Sequence, residues 1–159
     1  MLESQHCPDS RPSQVDRRLL EAKTVLSKLE KMKLFDFENS GNFSQTVMAL
    51  TKNRGYNKTT FCAKTLLSEK TYNLIKQNSM QSMPRPETVM QICIGLELGV
   101  EYGELLFEKA GYRLRGSEVL TAYRTILLVC KKINIIECNK ILEQLGLPTL
   151  AKHSIKKNQ

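Results

Sequence analysis

The sequence predicts an all-α protein, and three observations carry that prediction. Apolar residues recur at three- and four-residue spacings through most of the chain. No stretch alternates apolar and polar residues with the period of two that a half-buried strand requires. Helix punctuation falls at the ends of the periodic runs: Asn57 and Ser68 stand before two of them, and Gly55, Gly99 and Gly111 stand after others.

In chain order, residues 1–14 are rich in Ser, Pro and Gln without periodicity, and are expected to be disordered. A helix is predicted from Val15 or Asp16 to about Phe35, with Leu19, Ala22, Leu26 and Leu29 as an apolar stripe that packs on its own domain or, alternatively, on a second copy or another partner. Residues 36–42, DFENSGN, read as a turn-rich break. A helix over 43–53 follows, with Phe43, Val47 and Leu50 inward. Two short helices come next, over 58–65 and 69–77, joined by a tight turn. The segment NSMQSMPRP contains two prolines that forbid a continuing helix.

Pro86 and Glu87 open a further helix, expected to bury Val89, Ile92, Cys93 and Leu96 and to end at Gly99. A helix over 101–110 should bury Leu105, Leu106 and Ala110. A long apolar-rich helix is predicted over 117–133, with Tyr123, Ile126, Leu127, Val129 and Cys130 on it. The last, over 135–146, should turn Ile136, Ile141, Leu142 and Leu145 inward, and a basic tail occupies 151–159. The organisation predicted is therefore an amphipathic helix and linker at 15–42, a compact helical domain at 43–111 and a helical extension at 112–150.

Composition narrows the function. The net charge is +8, and it is unevenly distributed. Residues 52–85 carry seven basic side chains against a single acid, Glu69, whereas residues 86–111 carry five glutamates against Lys109. A block of that sign draws a polyanion by counterion release. Five scattered cysteines without a Cys-x-x-Cys pair, and two histidines at opposite ends, give no metal-ligand spacing. Reduced, mostly buried thiols fit a cytoplasmic protein. The N-terminus has no hydrophobic signal region, and no apolar run has the length of a membrane span, so neither secretion nor membrane insertion is expected. There is no Gly-rich phosphate loop and no His beside a nucleophilic Cys or Ser, so neither an enzyme nor a cofactor is expected.

The pair of short helices at 58–65 and 69–77 carries the candidate site. Phe61 and Cys62 fall on one face of the first helix, Tyr72 and Ile75 give the second its buried face, and Leu67 fills the turn. The rest of the second helix, Glu69, Lys70, Thr71, Asn73, Lys76 and Gln77, is polar and of types that hydrogen-bond to base edges and phosphates.

Over residues 43–111 the sequence resembles the Cro and phage-repressor family of helix–turn–helix DNA-binding domains. The residues that carry the resemblance are the cap Asn57, the pair Phe61 and Cys62, the turn Leu67 and Ser68, and the apolar Tyr72 and Ile75. Pro84, Glu87, Thr88, Val89, Ile92 and Leu96 follow, and then Leu98-Gly99-Val100. The chain departs from the family's pattern where Leu66 replaces the turn glycine, Cys62 a small alanine, and Lys76 and Asn78 the Glu and Gly after the second helix. The stretch KAGYRL at 109–114, with Glu137, Cys138, Asn139, Leu142 and Gly146, resembles an extension of unassigned role found behind such domains in bacterial proteins.

The resemblance implies a five-helix repressor-like helix–turn–helix domain flanked by an N-terminal helix and a C-terminal helical pair, in a bacterial or phage regulator of transcription. It implies double-stranded DNA as partner and a homodimer reading two half-sites. Glu69, Lys70, Thr71, Asn73 and Leu74 would face the bases, with Lys70 suited to guanine, Asn73 to adenine and Glu69 to the amino group of cytosine. Asn57, Lys58, Lys76, Gln77 and Arg85 would meet phosphates. The competing expectation is an interaction module, an antitoxin or adaptor, that uses the same fold on a protein partner. Glu101, Glu104 and Glu108 would suit a basic one.

Overall fold

A computed structural model describes residues 13–33 and 35–151, with side chains of 28–33 excepted. The described residues are helical, with no strand among them. Eight α-helices follow one another: α1 (Gln14–Lys33), α2 (Phe43–Asn53), α3 (Lys58–Thr65), α4 (Glu69–Lys76), α5 (Pro86–Gly95), α6 (Val100–Lys109), α7 (Glu118–Val129) and α8 (Ile135–Gln144). None of them is long and apolar enough to cross a membrane. The expected disorder at the N-terminus falls, up to residue 12, outside the described residues, and so do residues 152–159 of the basic tail.

The chain divides into two compact units, Met1–Asp36 and Phe37–Gln159. In the first, α1 is a single amphipathic helix started by Ser13. Its hydroxyl accepts from the Asp16 amide at 3.2 Å, while the Asp16 carboxylate accepts from the Ser13 amide and hydroxyl. Those bonds hold the Asp16 carboxyl below its ordinary range. Leu19 and Leu26 are more than half exposed, and every described side chain from 13 to 27 is exposed.

In the second unit the helices begin on side-chain caps. Asn42, Asn57, Ser68, Ser117 and Asn134 each accept the amide of the third helical residue of α2, α3, α4, α7 and α8. Asn42 with Gln45 and Asn134 with Glu137 complete reciprocal capping boxes.

The centre is α5. Every residue from 89 to 96 is buried, because α3, α6, α7 and α8 all pack on it. A helix covered all round must be apolar all round, and its one buried polar side chain, Gln91, is hydrogen-bonded: Nε2 donates to the Thr65 carbonyl at 3.0 Å. Gly95 lets α3 approach closely, since a Cβ there would lie 2.5 Å from Thr65 Cγ2 and 2.9 Å from the Thr65 amide nitrogen. Cys93 is fully buried in this helix, and the apolar surroundings push its thiol well above the ordinary value. Cys138 on α8 is likewise buried and pushed up to about 12.

Several helical faces differ from the sequence expectation. The central helix ends at Gly95 rather than Gly99. Glu97 takes a left-handed conformation (φ 53°), and the Leu98 amide closes the end on the Cys93 carbonyl at 2.8 Å. Gly99 instead becomes the N-cap of α6. On α6 the buried pair is Leu106 and Phe107, and Leu105 is exposed. On α7, Val129 is exposed because the helix stops there. On α8 the buried face is Ile135, Cys138 and Leu142, which leaves Ile136 and Leu145 in solvent and Ile141 half-buried. The common reason is that a helix carrying more apolar residues than one face accommodates has its facing chosen by its neighbours.

Tyr123 is wholly buried, its ring 6.3 Å from that of Phe107, and its hydroxyl has no hydrogen-bond partner among the described residues. Burial, with smaller contributions from the nearby Glu87 and Cys138, raises its pKa far above 10.0.

Replacing Gly95 by Ala forces Thr65 and α3 away, and should cost about 1–3 kcal/mol in denaturant unfolding. Gly99→Ala, where the added Cβ meets only the movable Glu101 carboxylate at 3.3 Å, should cost less, about 0.5–1 kcal/mol, for the loss of a favoured N-cap residue. Tyr123→Phe should unfold at the same or a higher denaturant midpoint at neutral pH, because no hydrogen bond is lost. An unfolded tyrosine ionises from about pH 10 while the buried one does not, so stability falls as pH rises above that value. Tyr123→Phe should reduce that alkaline loss, as denaturation series at stepped pH will show.

Candidate functional site

The two helices α3 and α4 are joined by Leu66, Leu67 and Ser68. Asn57 Oδ1 accepts the Thr60 amide at 2.9 Å and fixes the start of α3. Ser68 Oγ accepts the Thr71 amide at 3.2 Å and fixes the start of α4. Between them Leu66 occupies the left-handed region (φ 55°, ψ 23°) and remains 40% exposed. It meets the demand of a glycine-like turn by accepting the strain, which for a side chain bearing Cβ is about 1–2 kcal/mol. Thr65 reinforces the turn from beneath, its hydroxyl donating to the Phe61 carbonyl at 2.8 Å and accepting the Leu67 amide at 3.3 Å.

Phe61 and Tyr72 set the angle between the two helices. Both are buried, with ring centroids 5.2 Å apart and planes tilted by 57°. Ile75 is buried one turn further along α4, and α2 packs against the same helix. At its far end α4 closes on Asn78, which takes φ 51°, a left-handed conformation that Asn tolerates better than other side chains bearing Cβ. The Asn78 and Ser79 amides donate to the Ile75 and Leu74 carbonyls at 3.0 Å. Asn42 Nδ2 donates to Asn78 Oδ1 at 2.9 Å, tying that end to the start of α2.

With Tyr72 and Ile75 inward, α4 turns Glu69, Lys70, Asn73, Lys76 and Gln77 outward, all exposed. Lys70, Asn73, Lys76 and Gln77 make no side-chain hydrogen bond or ion pair with another described residue. Thr71 is half-buried and its hydroxyl shares a 3.0 Å bond with Ser68, so it is partly committed to the cap. Leu74 is half-buried. Asn57 spends its side-chain oxygen on α3, and Arg85 is exposed as the N-cap residue of α5.

Lys58 and Glu69 are not independent. Lys58 Nζ lies 2.9 Å from Glu69 Oε2, across the turn, and the carboxylate raises the pKa of the ammonium. Cys62 is half-buried close to this pair, its thiol raised first by desolvation and then by Glu69.

Sequence reasoning missed the residues that hold the unit in place. Gln91 was the legible one, a polar residue inside the apolar run of α5 that must find a partner when buried. Arg54, which grips the Glu97 carbonyl at 3.0 Å and its carboxylate at 3.6 Å, gave no signal, because two surface charges far apart in sequence do not announce their pairing.

Elsewhere, a cleft of about 520 Å³ lies among Glu104, Glu108, Arg113, Leu114, Arg115 and Arg124, crossed by a 2.6 Å pair between Arg124 and Glu104. Among the described residues no group of three or more His, Cys, Asp or Glu is placed to hold a metal ion. No protein-family model, curated protein or solved structure matches this chain.

Leu66→Gly should raise the unfolding free energy by about 0.5–1 kcal/mol, the relieved strain exceeding the added freedom of the unfolded glycine. Leu66→Ala keeps the Cβ and therefore the strain, so its denaturant midpoint should not rise.

Proposed function

We propose that this protein is a DNA-binding regulator of transcription, with α2–α6 as a repressor-like helix–turn–helix domain and α4 as the element that enters the major groove. The observation that carries the reading is the outward side of α4. Lys70, Asn73, Lys76 and Gln77 stand exposed and uncommitted on a helix whose other side is locked by Phe61, Tyr72 and Ile75. A rigid rod with donors on one side matches a groove floor, where Lys70 suits guanine and Asn73 adenine. Base contacts by Thr71 and Leu74 are secondary, since the first is tied to Ser68 and the second is half-buried.

The start of α3, with Asn57 and Lys58, and the exposed Lys76, Gln77 and Arg85 flank that rod and supply the phosphate contacts. Two copies, each reading a half-site, would give the specificity that one such helix lacks. We place the protein in the cytoplasm, with access to the chromosome, and the reading involves no catalytic step and no cofactor.

The interaction-module reading is favoured by one feature. Leu105 is exposed on the outward side of α6 between Glu101 and Glu108, also exposed, a small apolar spot with acidic flanks. Glu104 is already engaged by Arg124, which weakens the row as a docking site for a basic partner.

Selection of preferred duplexes from random sequence, followed by titration, separates the two. Lys70→Ala should lower affinity for the selected site on the order of tenfold and relax preference at one base position. Lys76→Ala should weaken all duplexes alike and flatten the dependence of log K on log salt by about 0.9. Recovery of no preferred sequence, with both variants binding as the parent does, would favour the interaction module.

A further inference from the structure

The Lys58–Glu69 pair sits on the proposed docking surface, at the starts of its two helices. Lys58 is the first residue of α3 and Glu69 the first of α4, so the bridge spans the turn between the two helix starts. Glu69 is the one acid in the basic block at 52–85. Lys64, Lys70 and Lys76 of the same block have no acidic partner among the described residues, whereas Lys58 does. Both paired side chains are substantially exposed, 43% and 69%, and such pairs are weak enough to exchange partners.

We infer that this ion pair is a gate on sequence discrimination, opening only on DNA that offers Lys58 a phosphate and Glu69 an amino group in the same step. The inference rests on the docking reading above. In the free protein the pair withholds one positive charge from the surface and shields one negative charge. On arbitrary duplex, release of Lys58 to a phosphate leaves the Glu69 carboxylate unpartnered near other phosphates, where like charges repel. The pair therefore stays closed and one phosphate contact is forgone. Where a cytosine presents its N4 amino group beneath the start of α4, Glu69 gains a donor as Lys58 leaves, and both charges are re-paired. Non-specific binding is thereby reduced without loss at the specific site. Glu69 acts on phosphate binding through Lys58, as a positioning residue, in addition to any contact with a base.

The test compares salt dependence on two DNAs, a duplex of scrambled sequence and the site obtained by selection. Glu69→Gln keeps the side chain's size and removes its charge. It should steepen the salt slope on scrambled DNA by about 0.9, the equivalent of one added phosphate contact. It should also narrow the ratio of specific to non-specific affinity about tenfold. Lys58→Ala should flatten the slope on the selected site by about 0.9, whereas on scrambled DNA no phosphate contact is lost and the unpartnered Glu69 carboxylate lowers affinity instead. The double variant should return the scrambled-DNA slope to that of the parent. A role confined to stabilising the helix pair would change both DNAs alike.

If the parent prefers a selected site but Glu69→Gln leaves its slope on scrambled DNA unaltered, the gate is refuted and the docking reading stands. If the parent shows no preference for any duplex and Lys70→Ala binds as tightly, the docking reading fails and takes the gate with it.

Discussion

The structure depends on one close approach, the crossing of α3 over α5. At Gly95 the helices come so near that the smallest side chain would strike Thr65, and at Gln91 a buried amide ties down the Thr65 carbonyl. These contacts fix the end of α3 in position and direction. The turn that follows inherits its starting geometry from them, and α4 leaves that turn at an angle held by Phe61 against Tyr72. The exposed side of α4 is thus oriented by the centre of this unit, and its own polar residues contribute little to that orientation.

This dependence explains how a leucine can occupy a left-handed turn. The conformation is unfavourable for Leu66, yet α3 is anchored on one side and α4 by Tyr72, Ile75 and the Ser68 cap on the other. With both ends held, the backbone between them has little freedom to relax. The hydroxyl of Thr65 serves the crossing and the turn together, bonding to Phe61 and Leu67. Strain of this kind persists only where the surroundings determine it more strongly than the residue resists it.

Helical periodicity and capping chemistry were legible in the sequence because they are local. Asn57 and Ser68 mark their helix starts by the side chains that cap them, and Asn78 takes the left-handed turn its amide tolerates. Facing was less legible. Leu105 and Leu106, or Ile135 and Ile136, are equivalent as residues and differ only in what neighbouring helices leave uncovered. At the candidate site, residue types on α4 could be named from sequence, but the engagement of Lys58 with Glu69 and of Thr71 with Ser68 could not. Those pairings depend on the angle between two helices, which no local pattern encodes.

The segment ahead of α2 behaves differently from a simple break. Phe37 is buried, with its ring 4.8 Å from that of Tyr102. Ser40 bonds to the Phe37 carbonyl and to Thr46, and Lys109 reaches the Gly41 carbonyl at 2.6 Å. Six residues that look like a spacer are thus stitched to α2 and α6. The second compact unit therefore starts at Phe37, ahead of its first helix, and a truncation placed at Phe43 would strip a buried ring from Tyr102 and a carbonyl partner from Lys109.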